Sequence, residues 1–294
     1  MPVLRVRLTL PYVLQLAEGE YRTAPNGEAI TIGAPPVEEV ASHTVISAIF
    51  THDEIPGPDE KERIRFLNAD KLLRRTNRLL RHYRAVRQKA EITELTRAQA
   101  SPFRFEVVGA GNPEGWIDPI EYEEVGLTPL SLTLNELTER VREGLASGND
   151  PDVDELFLLD AERALQQGRF RDAVLFCWST IDSVFNRKYD LLVDAALGHE
   201  WGDAKKFFKG HDFGLRNKMS AGMRLIANRS FHAEPHDLWT RLSNSYLLRN
   251  KIIHGGENAT EDEARQAIAV AKAVVSIMRG IPDPHALAEH DHGV

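Results

Sequence analysis

The stretch Leu247–Gly256 reads Leu-Leu-Arg-Asn-Lys-Ile-Ile-His-Gly-Gly, and three of its side chains can do chemistry. Arg249 carries a permanent planar cation that fits a carboxylate or a phosphate. His254 can exchange a proton near neutral pH. Asn250 can hold either group through its amide. On a helix drawn from Pro235 to His254, the residues Trp239, Leu242, Tyr246 and Ile253 line one face, with Asn250 on the same line and Arg249 beside it. Polar groups thus stand where the pattern asks for apolar ones. A buried guanidinium without a partner costs several kcal/mol, so it must meet an acid, a phosphate or water. Asn250 and His254 are four residues apart, hence neighbours, and the amide can orient the imidazole. Arg249 and His254 are five apart, roughly 140° round an ideal helix. They converge if the last turn unwinds near Gly255, or if a second subunit supplies one of them.

Other elements must position this helix end. From residue 152 the chain reads helix after helix. Asp152 to Gln167 is closed by Gly168, and Phe170 to about Leu192 is strongly apolar. A less regular stretch, 198–213, precedes a third helix over Leu215–Asn228. Pro235 opens the fourth, which Gly255 and Gly256 end. Thr260 and Glu263 cap a fifth that runs to about Met278. The polar tail, 283–294, is expected to be disordered.

Residues 1–130 read differently. Val3–Leu10, Ala29–Ile32, Thr44–Phe50 and Phe103–Val108 carry strand signals separated by turn residues. The loop after the last, Gly-Ala-Gly-Asn-Pro-Glu-Gly, looks like a phosphate cradle but lacks the lysine and spacing of one. Between the strands, about 59–89 is helical, with Leu72, Thr76, Leu79, Leu80, Tyr83 and Val86 on one face. Arg74, Arg75, Arg78, Arg81, Arg84 and Arg87 form the other. Two readings stand: a solvated face paired with acids such as Glu91 and Glu94, or a surface that tracks the phosphates of RNA or DNA, with Arg74, Arg75, Arg78 and Arg81 as its RNA-binding candidates. Residues 131–151, capped at Thr133 and Glu136, read as a connecting helix. The fold class expected is α+β: an N-terminal mixed α/β domain, then an all-α bundle over 152–282.

The totals set bounds. With 294 residues there is room for two domains. A net charge of −8 argues against a protein that coats nucleic acid over its whole surface. The single cysteine, Cys177, forms no disulfide within the chain and reads as a small core residue. No stretch nears the roughly 20 apolar residues of a membrane span, and nothing resembles a secretory signal, so a cytoplasmic location is expected. His232 and His236 have metal-like spacing, but Pro235 interrupts it and no further ligand follows, so no metal site is expected.

The motif Arg249-Asn250-Lys-Ile-Ile-His254 resembles the R-x4-6-H motif of the HEPN superfamily, the Apea-like domains among them. The preceding Ala161–Phe185 is similar to that family's antiparallel helix pair with its short turn. The resemblance covers about 152–280. It implies a helical bundle that forms a two-fold homodimer and works without metal or other cofactor. It also implies an endoribonuclease of the kind found in toxin–antitoxin and antiviral defence systems, with RNA as substrate and an antitoxin or regulatory protein as a further partner. By this resemblance Arg249 and His254 are the catalytic pair and Asn250 supports them. RNA brings its own nucleophile, the 2'-OH. His254 would move the proton and Arg249 would meet the charge growing on phosphate, giving a 2',3'-cyclic phosphate. Asp182, by its place in the second helix, is the candidate to hold Arg249; a solvated or capping carboxylate is the other reading. Two alternatives to the ribonuclease remain: a HEPN-like module that binds RNA, nucleotide or protein without cutting, and an unrelated helical domain in which Arg249 and His254 cap a helix.

Overall fold

The computed structural model describes residues 3–11, 13–25, 28–33, 44–52, 58–100, 103–107, 113–114, 133–197, 201–210, 213–234 and 237–282. The chain is α+β and forms two compact units, Met1–Pro151 and Asp152–Val294.

The first unit is built on an antiparallel sheet. Its strands are β1 (Val3–Thr9), β2 (Gly19–Arg22), β3 (Ala29–Gly33), β4 (Val45–Thr51), β5 (Arg104–Val107) and β6 (Pro113–Glu114), in the order β2-β3-β4-β1-β5-β6. Alternation sets the register. Val6 and Leu8 of β1 point into the core opposite Ala48 and Ile46 of β4. Arg5 and Arg7 take the other face, where both donate to Glu106 on β5, at 3.2 and 3.0 Å. The four expected strands are present. Two more, β2 and β6, are not among those expected from the sequence.

Helix α1 (Pro58–Arg87) buries Leu72, Thr76, Leu79, Leu80 and Tyr83 beside the sheet, as its apolar stripe predicts. A four-residue turn, α2 (Arg97–Ala100), follows. The segment expected to be a connector contributes α3 (Leu134–Ala146) to this unit's core, through Leu137, Val141 and Leu145. Thr133 and Glu136 do form its capping box. Gly144 lets α3 approach α1 closely: a Cβ there would lie 2.5 Å from His82 Nδ1.

The described part of the second unit is helical. Helices α4 (Val153–Gln166) and α5 (Phe170–Ala196) form a hairpin whose turn needs Gly168 at φ 70°. Ala161 and Ala164 keep α4 slim, so that Val174, Cys177, Trp178 and Ile181 of α5 can pack against it. Burial pushes the Cys177 thiol up to about 12, as befits a core residue. The stretch expected to be irregular holds α6 (Gly202–Lys209). The third expected helix is α7 (Leu215–Asn217), a π-helical turn (Lys218–Gly222) and α8 (Met223–Ala227), ended by Asn228 at φ 49°. Helix α9 (Leu238–Asn250) begins after Asp237 and runs into a second π-helical turn (Lys251–Gly255). Thr260 and Glu263 cap α10 (Glu261–Arg279), which lays Ala264, Ala267, Ala271 and Val274 into the core. Pro235, His236, residues 198–200 and the tail 283–294 lie outside the described residues.

Candidate functional site at the end of α9

Helix α9 buries Leu238, Leu242 and Ser245, and Ile252 of the π turn follows on the same line. The spacing 238, 242, 245, 249, 252 is a helical stripe, so Arg249 stands on the core-facing line itself. This corrects the sequence expectation by one residue. Asn250 is the flanking group, and Ile253 is turned out, 45% exposed. The error has a cause: Trp239 and Tyr246 are large enough to be half-buried beside the true seam, and they drew the line towards themselves.

The seam between α5 and α9 is polar at one point. The indole N–H of Trp178 donates to Ser245 Oγ at 3.0 Å and to the Ser245 carbonyl at 3.1 Å. Tyr246 packs edge-on to the same indole, with ring centroids 5.3 Å apart. A buried indole N–H needs an acceptor, which explains a serine on an apolar line. One turn further along α5 is Asp182. Burial raises its carboxyl above its ordinary value, and the positive charge of Arg249 opposes the rise. The two feel each other's charge, but among the described residues no ion pair joins them, so the expected Asp182–Arg249 pair does not form. The guanidinium's hydrogen bond goes elsewhere: Arg249 Nη1 donates to Asn250 Oδ1 at 3.0 Å. Asn250 thus holds Arg249 and not the imidazole.

His254 lies in the π turn and is exposed. In an α-helix it would stand roughly 140° from Arg249. A π turn closes by i→i+5 hydrogen bonds, so it holds more residues per turn than an α-helix and each residue advances by less than 100°. The turn therefore carries His254 less far round from Arg249 than an α-helix would, while leaving it exposed. Glycine makes this ending available. Gly256 adopts φ 68°, and its N–H bonds back to the Ile252 carbonyl at 3.2 Å. Arg171, from the start of α5, also reaches the Ile252 carbonyl, at 3.4 Å. Nothing in the sequence pointed to Arg171, which is 81 residues from its partner.

The arginines of α1 are largely spent within their own unit. Arg75 donates to Glu28 at 3.1 Å and to the Ala29 carbonyl at 3.3 Å, with its guanidinium over the Phe50 ring. Arg78 bonds the Thr23 carbonyl and the Asn149 carbonyl, and pairs with Asp150 at 3.3 Å. Arg81 joins Glu94 at 2.8 Å and Asp150 at 3.2 Å. Arg84 is buried, whereas Arg74 is exposed. These side chains tie loops to the helix, close to the reading that paired the face with acids.

His232 is exposed and stacks on Trp239, with centroids 3.9 Å apart. Among the described residues, no three His, Cys, Asp or Glu side chains come together as a metal site. No described helix is long and apolar enough to cross a membrane. No family model matches this chain, and neither a curated protein nor a solved structure resembles it significantly.

Proposed function

We propose that the protein is an endoribonuclease of HEPN type, cleaving RNA through Arg249 and His254 without a metal ion. The observation that carries this reading is the end of α9, where Asn250 holds the half-buried Arg249 and the π turn that follows presents an exposed His254. Asn250 fixes the guanidinium, and Asp182 lends it negative potential. Arg249 is then poised to meet charge developing on a phosphate, and exposed His254 to move the proton of the 2'-OH. Such a site sits best at a two-fold axis, where exposed Leu247 and Ile253 beside it would be covered by a second copy. A role in defence or toxicity, with a neutralising protein partner, belongs to the same proposal.

The test is RNA incubated with the purified protein in EDTA, alongside Arg249→Ala and His254→Ala. Cleavage to a 2',3'-cyclic phosphate is expected, with DNA resistant. Each substitution should lower the rate by about a hundredfold or more. Equal cleavage by wild type and both variants would end the proposal. A second reading is a module that binds RNA, nucleotide or a protein without cutting. It draws on the exposure of His254, whose ring no hydrogen bond orients among the described residues. Binding without cleavage by wild type would select it.

A further inference from the structure

The turn between α4 and α5, together with the chain following the second π turn, borders a surface cavity of about 430 Å³ that is open to solvent. Arg169, Phe170, Arg171, Asp172, Asn258 and Ala259 line it. Its two arginines differ. Arg169 is neutralised by Asp172 at 2.7 Å, and it also donates to Gln167 at 2.9 and 3.1 Å. Arg171 is exposed, and its bond is the long one to the Ile252 carbonyl, 3.4 Å. That carbonyl carries no net charge, and no carboxylate pairs with Arg171 among the described residues. A guanidinium steadied at one edge keeps the rest of its N–H fork for an anion. The Asn258 side chain offers a neutral amide in the same wall. Chain length fixes the neighbourhood: Asn258 is four residues from His254, so their backbones lie within about 14 Å. A short run of nucleotides spans that distance.

We infer that this cavity is a subsite for a second phosphate of a single-stranded RNA whose scissile phosphate lies at Arg249 and His254, and that Arg171 holds it. The inference rests on the RNA reading above but not on cleavage. The Ile252 carbonyl serves as the orienting group, so the π turn and the subsite share one side chain.

The experiment is equilibrium binding of a short single-stranded RNA to the full chain carrying His254→Ala, which keeps the RNA intact, over a range of salt. Adding Arg171→Ala should weaken binding roughly tenfold and reduce the log–log salt slope by about 1. Arg171→Lys should restore the slope while recovering part of the affinity, because charge returns without the fork. Arg171 is exposed, so unchanged circular dichroism is expected; Arg171→Gln provides the same comparison with the side chain's bulk kept. Affinity and slope left unaltered by Arg171→Ala and Arg171→Gln would overturn the subsite. The two proposals separate cleanly. Arg171-dependent binding by a wild type that never cuts sustains the subsite and removes the ribonuclease. Cutting with no Arg171 dependence does the reverse, and no binding to RNA at all removes the subsite.

Discussion

Single side chains in this protein are set by what burial denies them. Arg249 stands on a core-facing line yet bonds Asn250 and feels Asp182, so its charge is met without a direct carboxylate hydrogen bond. An arginine so arranged keeps donors for an incoming anion, whereas a bidentate pair with Asp182 would have used them. His82 shows the opposite case. On α1, where it faces α3, it is buried, and its Nε2 has no hydrogen-bond partner among the described residues. Burial first, then the Arg78 cation, lowers its pKa from 6.5 to about 4. The unfolded chain then binds a proton that the folded chain refuses. Stability is complete above pH 6.5 and falls as pH drops towards 4, by on the order of 3 kcal/mol from this group. Urea unfolding at pH 7 and at pH 4.5 should show this loss, and His82→Gln should shrink it. An identical acid loss in the variant would mean that His82 is not its source.

At the scale of elements, the decisive one is the second π turn. It inserts a wider turn at the end of α9, so that each residue there advances by less than the 100° of an α-helix. Gly256 permits the ending with φ 68°, and a Cβ there would meet nothing within 4 Å. The cost of Gly256→Ala is therefore in the backbone alone, about 1 kcal/mol. Gly256→Asn should recover most of it, since asparagine tolerates the left-handed region. Thermal unfolding of the three proteins measures the order; alanine as stable as glycine would refute it. Helix caps and helix pairing were legible beforehand. Thr133 with Glu136 and Thr260 with Glu263 form the expected boxes, and Gly168 turns α4 into α5. The π turns were not legible, because residues 215–227 and 238–255 carry the same 3.6-residue periodicity as an ordinary helix.

On the scale of the whole molecule, each unit is tied by long-range charges that no local pattern displays. Asp154 is fully buried and accepts from Arg187 on α5 at 2.8 Å and from Arg279 at the end of α10 at 3.2 Å. Asp152 and Glu155 take the outer sides of the same two arginines, at 2.9 and 2.8 Å. Asp154→Ala leaves both guanidiniums with one partner each and opens a void, at a cost of about 2 kcal/mol. The loss should register as a lower Tm, with Asp152→Ala, whose carboxylate is half exposed, costing far less. Equal effects would show that burial of Asp154 adds nothing. In the first unit, Arg75, Arg78 and Arg81 do similar work against Glu28, Glu94 and Asp150.

The sequence by itself determined the strands β1, β3, β4 and β5, the apolar stripe of α1, the capping boxes, and the α+β class, because each is written in neighbouring residues at a fixed period. It also singled out Arg249, Asn250, His254 and Asp182 as candidates, of which the cleavage experiment tests Arg249 and His254. Only the tertiary structure decided which edge of α9 faces inward, since a half-buried Trp239 or Tyr246 fits either side of that boundary. It decided as well that Asn250 serves Arg249, that α3 belongs to the first unit's core, and that the α1 arginines spend their charge on loops. Arg171 meets Ile252 for the same reason: partners distant in the chain are chosen by packing, which no spacing between neighbours encodes.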